Sequence, residues 1–330
     1  MKASTYKKYG SPGVLELEDL EKPTPKDNEV LIKIYATTVN RTDCAMLRAK
    51  PWIMRLLTGL VNPKDPILGT DFAGLIEGVG NHVKTFKIGD KVFGFEDSGL
   101  NSHAQYLTLS ENKAFAIIPE ETSYKEAAAC IEGAHYAYNM INKVKLKRGD
   151  EVLVNGATGA IGSALVQLLK YFGANITAIA NTKNLDLIKS LGANRVIDYT
   201  KEDFTLQDRT YNFIFDAVGK SSFPSCKRLL HRDGVYISSE LGFMAQNLFF
   251  ALSTGVIGKL TGRSAHKKVI FPIPYDCKRS VLLIKKLMEE GKFKPVIDRQ
   301  YPLERIAEAF TYVEKGEKTG NVIITMTDNN

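Results

Sequence analysis

The clearest pattern in the chain is a short apolar run at 151–155 that leads into a glycine-rich turn and then into an apolar helical stretch at 164–169. A strand, a turn and a helix in this order are typical of sites that bind the pyrophosphate of a dinucleotide. The turn supplies the candidate cofactor-binding residues Gly156, Ala157, Thr158, Gly159, Ala160, Ile161 and Gly162.

The three glycines of this turn have different predicted tasks. Gly156 lets the chain turn tightly off the strand, Gly159 lets the backbone approach the pyrophosphate, and Gly162 lets the helix pack close to its strand. The phosphates are expected at the N-terminus of the helix, where backbone amides and the helix dipole favour an anion.

Strands and helices alternate after the turn. Strands are predicted at 175–180, 195–198, 212–216 and 234–238, with a helix at 185–191 that ends at Gly192. This βαβαβ order predicts an α/β fold with a doubly wound parallel sheet. Ligands of such sheets bind beyond the carboxyl ends of the strands.

The segments on either side of this region have a different pattern. Before it, the chain is rich in turns and strand-like runs, which indicates a compact β-rich domain. The C-terminal segment is short for an independent fold, so we expect it to rejoin the N-terminal domain. The predicted organisation is a β-rich domain at 1–123, a Rossmann dinucleotide-binding domain at 124–272, and a rejoining C-terminal segment at 273–330.

Composition changes this picture little. The chain has 330 residues, 44% of them hydrophobic and 25% charged, which suits a globular protein of two domains. The sequence has neither a bilayer-spanning apolar run nor a signal-peptide core, so a cytoplasmic location is expected. The four cysteines stand singly, without the spacing of a metal site, and no metal is predicted. The basic residues behind the net charge of +7 are spread out, so no nucleic-acid partner is expected.

Several ordered motifs carry a resemblance that spans nearly the whole chain. They are the glycine-rich turn and the segments 68–74, 79–80, 86–92, 190–193, 215–219, 291–301 and 320–323. With these motifs the chain resembles the medium-chain dehydrogenase/reductases, in their zinc-free, quinone oxidoreductase-like branch. The resemblance implies a Rossmann domain and a β-rich, GroES-like catalytic domain.

The resemblance also indicates that a catalytic metal is missing. Zinc alcohol dehydrogenases of this superfamily hold their metal with a cysteine, a histidine and a second cysteine. The matching positions here are Asn40, Thr70 and about Ile131, which are not zinc ligands. Cys44 and Cys130 flank two of these positions, but single buried cysteines usually pack as small apolar side chains. Without a Lewis acid, the natural substrate is an acceptor that is already electrophilic.

The end of the second strand in the alternating region indicates which cofactor binds. It reads Asn181, Thr182, Lys183 and Asn184, of which the first three are candidate cofactor-binding residues, and it lacks the carboxylate that accepts from the ribose 2′-hydroxyl of NAD. Lys183 supplies a positive charge for a 2′-phosphate, and Tyr199 resembles the family tyrosine that lines the adenosine phosphate pocket. We therefore expect NADPH. The alternative interpretation is that Lys183 is an ordinary solvated lysine at a helix start.

The resemblance also nominates residues for the nicotinamide end of the cofactor. Asn40 is expected near the reacting carbon, with Asp43 beside it either as a second candidate catalytic residue or as a residue that orders the loop. Val218, Gly242 and Asn321 are expected near the cofactor. A general acid is not assignable from the sequence.

The predicted function is a zinc-independent, NADPH-dependent oxidoreductase that reduces hydrophobic quinones or α,β-unsaturated carbonyl compounds by hydride transfer. One alternative is an alcohol dehydrogenase of the zinc type, which needs a metal or a proton relay. Another is an NADPH-binding scaffold or redox sensor with little turnover.

Two segments, 46–64 and 243–268, combine apolar residues with basic ones and have amphipathic patterns. In the resembling family, equivalent insertions overhang the substrate cleft, which favours a lid or a surface of a homodimer. The alternative is a face that rests on an anionic membrane as a peripheral contact and collects lipophilic substrates.

Overall fold

The structure is a computed structural model that describes residues 1–52, 54–238, 246–254 and 267–326. Its strands are β1 (Lys2–Thr5), β2 (Glu16–Asp19), β3 (Glu29–Val39), β4 (Asp71–Val79), β5 (Lys91–Phe95), β6 (Tyr106–Ser110), β7 (Phe115–Ile117), β8 (Glu151–Asn155), β9 (Asn175–Ala180), β10 (Arg195–Asp198), β11 (Tyr211–Asp216), β12 (Leu230–Ser238), β13 (Lys268–Ile270), β14 (Ile297–Pro302) and β15 (Asn321–Thr325). Its α-helices are α1 (Arg41–Arg48), α2 (Met54–Thr58), α3 (Tyr124–Ala129), α4 (Glu132–Ile141), α5 (Ala160–Tyr171), α6 (Leu185–Leu191), α7 (Phe223–Cys226), α8 (Gln246–Leu252), α9 (Cys277–Glu289) and α10 (Ile306–Glu314).

Contacts within the chain define two compact units. Unit 1 comprises residues 1–132 and 276–330, and unit 2 comprises residues 133–275. The predicted division at 123/124 places α3 in the second domain, whereas here α3 belongs to unit 1. It packs against β3 and β4, and its alanines are buried. A capping box between Ser123 and Glu126 fixes the start of α3. Because the helix packs on the sheet of unit 1, the division between the units falls after it.

Unit 1 is built on a seven-stranded sheet in the order β14-β15-β3-β4-β5-β7, with β6 also paired to β3. The C-terminal strand β15 lies antiparallel to β3, with Val322 opposite Val39. Three consecutive residues of β15, Val322, Ile323 and Ile324, are fully buried, so this strand is covered on both faces. The end of the chain therefore completes the core of the N-terminal sheet.

Unit 2 is built on a six-stranded parallel sheet in the order β10-β9-β8-β11-β12-β13. Counted from β8, this is the order 3-2-1-4-5-6 of doubly wound, dinucleotide-binding sheets, and it confirms the predicted fold class. The apolar run Val152, Leu153 and Val154 is fully buried, as expected for a parallel strand covered on both faces. Strand order reverses between β8 and β11, so the ligand-binding switch point lies at the carboxyl ends of these two strands.

Candidate cofactor site and catalytic loop

The glycine-rich turn of unit 2 joins the end of β8 to the start of α5. Gly156 has φ +80°, a left-handed conformation that residues with a side chain rarely adopt. A Cβ at position 162 would lie 2.0 Å from the Gly156 carbonyl oxygen, so only glycine lets the helix come this close to the turn. Gly156 and Gly162 are thus required by the backbone of the turn itself.

Gly159 differs because it has open space in front of it. Among the described residues, a Cβ there would meet only the Gly156 carbonyl oxygen within 4 Å, at 3.8 Å. Gly159 is the N-cap of α5 and makes no side-chain cap. The first-turn amides, from Ala160 to Gly162, have no acceptor within the helix, and the helix dipole favours an anion beside them. The open space at Gly159 and the free first-turn amides are the features that an anion site needs, and the pyrophosphate contact stays a prediction.

A buried carboxylate, Asp216, organises the neighbouring strand ends. Its Oδ1 accepts from Asn155 Nδ2 at 3.0 Å and from the amides of Val218 and Gly219 at 3.3 and 3.1 Å. Its Oδ2 accepts from the Tyr236 hydroxyl at 2.7 Å. Burial raises the pKa of Asp216, and these donors oppose the rise. Asp216 thereby fixes Val218, whose Cβ lies close to Gly156, next to the phosphate turn.

The candidate adenosine end lies at the carboxyl ends of β9 and β10. Residues Thr182–Asn184 form one turn of 3₁₀-helix after β9, and Asn184 Nδ2 donates to Asn181 Oδ1 at 2.8 Å. The Lys183 side chain is exposed on this turn. Tyr199 follows β10; its amide donates to the Ala180 carbonyl at 3.0 Å, and its side chain is 55% exposed. The structure thus brings the predicted residues of both strands to one edge of the sheet.

In unit 1, Asn40 and Asp43 hold each other at the start of α1. Asn40 Oδ1 accepts from the Asp43 amide at 2.9 Å, and Asp43 Oδ2 accepts from the Asn40 amide at 3.0 Å. Asn40 Nδ2 donates to Thr70 Oγ1 at 2.8 Å. Asp43 is fully buried, and burial raises its pKa well above the usual range. The predicted pair therefore forms a capping box that orders the loop and orients the Asn40 amide towards Thr70.

A second buried carboxylate, Asp71, lies beside this loop at the start of β4. Its Oδ1 accepts from the Thr38 amide at 2.7 Å and from Thr37 Oγ1 at 3.2 Å, and its Oδ2 accepts from Thr38 Oγ1 at 2.5 Å. Burial nevertheless raises the pKa of Asp71 to about 6. The Thr38 carbonyl is in turn 2.9 Å from His103 Nε2. This network fixes the end of β3, two residues before Asn40.

The residues at the candidate metal position do not fit zinc. Asn40 and Thr70 offer an amide and a hydroxyl, and the third position, Ile131, is a fully buried hydrocarbon. Burial raises the pKa of the Cys44 and Cys130 thiols, which disfavours thiolate ligands. Nowhere in the described part of the chain do three or more histidine, cysteine, aspartate or glutamate side chains form a group that could hold a metal.

Two cofactor candidates remain, Asn321 and Gly242. Asn321 is buried at the start of β15, where both its amide and its Nδ2 donate to the Val296 carbonyl, at 2.8 and 3.0 Å. One hydrogen of its Nδ2 is therefore used within unit 1, and a cofactor contact stays a prediction. Gly242 lies outside the described residues.

The two amphipathic segments are described only in part. In the first, the apolar side chains of Trp52, Leu56, Leu60 and Val61 are exposed. In the second, Phe249 and Leu252 are exposed, and most of 243–268 lies outside the described residues. The lid or dimer surface and the membrane contact both stay predictions. Among the helices that the structure describes, none has the length and apolar character needed to cross a bilayer.

Sequence reasoning missed the buried carboxylates Asp71, Asp198 and Asp216. Aspartate is usually exposed, so nothing in the composition of these segments distinguishes them from surface residues. A usable signal does exist for two of them, because Asp198 and Asp216 each end an apolar parallel strand. That position is at the ligand-binding edge of a doubly wound sheet.

Comparison with known proteins agrees with this architecture. The family model described as alcohol dehydrogenase GroES-like domain matches residues 26–138, and that described as zinc-binding dehydrogenase matches residues 191–324. A 2-methylene-furan-3-one reductase of Solanum lycopersicum is 33% identical over 98% of this chain and 79% of its own. An NADPH-dependent alkenal/one oxidoreductase of Arabidopsis thaliana is 29% identical, with the same coverage.

A solved structure gives the same result. The quinone oxidoreductase from Coxiella burnetii superposes with a TM-score of 0.84, at 25% identity and over 99% of both chains. The β-rich sheet of unit 1 is thus of the GroES-like type, and unit 2 is a Rossmann domain. The chain therefore belongs to the medium-chain dehydrogenase/reductase family, in its quinone oxidoreductase branch, and is an oxidoreductase.

Proposed function

We propose that this oxidoreductase uses NADPH to reduce quinones or α,β-unsaturated carbonyl compounds without a metal. The observation that carries the proposal is the turn after β8, where Gly159 leaves open space in front of the first amides of α5. Family membership supports a nicotinamide dinucleotide, NADH or NADPH, at this turn. When bound in its reduced form, such a cofactor supplies a hydride.

Lys183 and Tyr199 support NADPH over NADH. The turn after β9 has no carboxylate to accept from a ribose 2′-hydroxyl, and the exposed Lys183 ammonium on this turn supplies a positive charge for a 2′-phosphate. The exposed Tyr199 side chain borders the same edge of the sheet. A cation and a hydroxyl donor at this position favour a phosphate dianion over a neutral hydroxyl.

Asn40 and Thr70 support an acceptor with a conjugated carbonyl group. Asn40 Nδ2 carries two hydrogens, of which one is donated to Thr70 Oγ1. We infer that the second hydrogen and the Thr70 hydroxyl hydrogen, on two side chains that are almost fully buried, are donated to the acceptor's carbonyl oxygen when it enters the site. When carbon accepts the hydride, the displaced electron pair moves to that oxygen, where these donors stabilise it until a proton arrives from water. Oxidation of a saturated alcohol instead requires a Lewis acid or a proton relay, which this donor set does not provide.

Steady-state oxidation of NADPH and NADH tests the reaction. The acceptors are a quinone, a long-chain enal and a saturated aldehyde. We expect turnover of the first two, with a higher kcat/KM for NADPH than for NADH. Turnover of the saturated aldehyde would contradict the metal-free assignment. Tight NADPH binding without turnover of any acceptor would favour the alternative of a cofactor-binding scaffold.

The role of Asn40 is tested separately by Asn40→Ser. Serine is also a good N-cap, so α1 stays capped, but the amide donor is lost. We expect kcat to fall roughly 100-fold, the effect of removing one donor to a developing oxyanion. Asn81→Ala, which removes an exposed amide elsewhere in unit 1, serves as the control. An unchanged kcat in Asn40→Ser would show that the Asn40 amide does not stabilise the transition state.

A further inference from the structure

The carboxylate of Asp198 joins the ends of two neighbouring strands at the candidate adenosine site. Asp198 is the last residue of β10, and only 8% of its surface is exposed. Its Oδ2 accepts at 2.6 Å from Thr182 Oγ1, which lies in the turn after the neighbouring strand β9. Its Oδ1 accepts from the Thr200 amide at 3.0 Å and from Thr200 Oγ1 at 2.7 Å. The two hydroxyls are themselves 3.0 Å apart.

Asp198 differs in position and in hydrogen bonding from the acidic residue of NAD sites. That residue ends the second strand of the sheet and presents its oxygens to the ribose hydroxyls. Asp198 ends the third strand, and both of its oxygens already accept hydrogen bonds from the protein. Its charge therefore holds Thr182 and Thr200 and pairs with Lys201, whose Nζ is 3.8 Å from Oδ2, and it is not presented to a ribose.

Thr182 is the first residue of the 3₁₀ turn that carries Lys183. The turn is held from inside by the bond between Asn184 and Asn181, and from the neighbouring strand by the bond between Thr182 and Asp198. A lysine side chain is long and loses much conformational freedom when it is fixed. The direction in which its backbone presents it therefore decides how well it meets a phosphate.

We propose that Asp198 and Thr182 form a positioning pair that aims Lys183 at the 2′-phosphate and so sets the preference for NADPH over NADH. The inference rests on the cofactor proposed above. Neither residue needs to touch the cofactor. The pair acts through the backbone of the turn, so its loss lowers the affinity for NADPH and leaves NADH and the chemical step unaffected.

The first test is Thr182→Val, which removes the hydroxyl and keeps the shape of the side chain. We expect KM for NADPH to rise roughly tenfold, as for a lost charge-assisted hydrogen bond, with kcat and the NADH parameters unchanged. Thr182→Ser keeps the hydroxyl and restores wild-type behaviour. Thr205→Val is the matched control, because Thr205 Oγ1 donates to Asp203 at 2.7 Å in the same unit. Equal losses with NADPH and NADH in Thr182→Val would overturn the proposal.

Asp198→Asn separates positioning from simple charge. The amide has one acceptor oxygen in place of two, so it binds the hydroxyls of Thr182 and Thr200 less well. If Asp198 positions the turn, the preference for NADPH over NADH therefore falls in this variant. If the carboxylate acted only by repelling the phosphate, the neutral amide would raise the preference. A raised preference therefore overturns the proposal.

A double-mutant cycle with Lys183→Ala completes the test. If the pair acts through Lys183, Thr182→Val causes no further loss of NADPH preference in the Lys183→Ala background. A full additional loss there would overturn the positioning role. Lys183→Ala alone tests the cofactor assignment: an unchanged preference in that variant would reject the role of Lys183 itself. A reduced preference in Lys183→Ala together with an unchanged one in Thr182→Val rejects only the positioning pair.

Discussion

The stability of unit 1 depends on two buried groups that titrate in opposite directions. Asp71 and His103 are both fully buried, and both contact Thr38. Burial raises the pKa of the Asp71 carboxyl from 3.8 to about 6 and lowers the pKa of His103 from 6.5 to about 4. For His103 the geometry gives the reason. Its Nδ1 has no hydrogen-bond partner among the described residues, so a proton there would be buried without an acceptor.

The signs of the two effects follow from proton binding. As the pH falls from about 6 to about 4, folded Asp71 holds a proton that the unfolded chain does not yet bind, so folding becomes more favourable. As the pH falls from about 6.5 to about 4, the unfolded chain protonates its histidine while folded His103 stays neutral, so folding becomes less favourable. At about 1.4 kcal/mol per pKa unit, each effect is about 3 kcal/mol, and the two largely cancel.

Asp71→Asn and His103→Gln remove one effect each. Relative to wild type, the free energy of unfolding of Asp71→Asn falls by about 3 kcal/mol between about pH 6.5 and 4, and that of His103→Gln rises by about as much. The measurement is urea unfolding at several pH values, followed by hydrogen-exchange mass spectrometry of peptides from β3 and β4. Asp208→Asn and His82→Gln change exposed residues and serve as controls. Profiles parallel to wild type in both buried variants would refute the reasoning.

Two further predictions concern unit 2. Gly162→Ala lowers the free energy of unfolding by more than about 2 kcal/mol, because its Cβ would collide with the Gly156 carbonyl. Gly159→Ala stays within about 1 kcal/mol of wild type but weakens cofactor binding. Urea unfolding and fluorescence titration with NADPH check both variants. A large loss of stability in Gly159→Ala with little change in Gly162→Ala would contradict the roles assigned to the two glycines. Tyr236→Phe removes a hydrogen bond to the Asp216 carboxylate and lowers stability by about 1.5–3 kcal/mol. Tyr211→Phe, which removes a bond to a neutral amide, lowers it by about 1 kcal/mol; equal losses in the two variants would contradict this prediction.

Local patterns in the sequence account for much of unit 2. The apolar run at 151–155 is strand β8, and the helix predicted at 185–191 is α6 with the same bounds. Gly192 ends that helix in the left-handed conformation at φ +117°, which is the reason glycine marks such ends. These elements are predictable because each is specified by residues that are close together in the sequence.

The polar networks could not be predicted in this way. Asp71 bonds to Thr38, 33 residues earlier, and Asp216 bonds to Tyr236, 20 residues later. Such pairs depend on strand order and register, and a shift of one residue would turn these side chains to the other face. The pairing of β3 with β4 also contains register irregularities that no local pattern indicates. The candidate residue Asn40 and its neighbour Thr70 were thus predictable by resemblance, whereas the hydrogen bond between their side chains is given only by the fold.

Three of the buried carboxylates share one structural task. Asp71, Asp198 and Asp216 each stand at a strand end and accept hydrogen bonds from hydroxyl and amide groups of nearby strands and turns. A threonine side chain is short and loses little conformational entropy when its hydroxyl is bound. A charge-assisted bond to threonine therefore restricts the backbone more than a bond to the long side chain of lysine would. Each carboxylate lies next to a loop that carries a candidate site residue. Replacing one should therefore change cofactor binding or turnover in addition to lowering the stability of the sheet from which the loop extends.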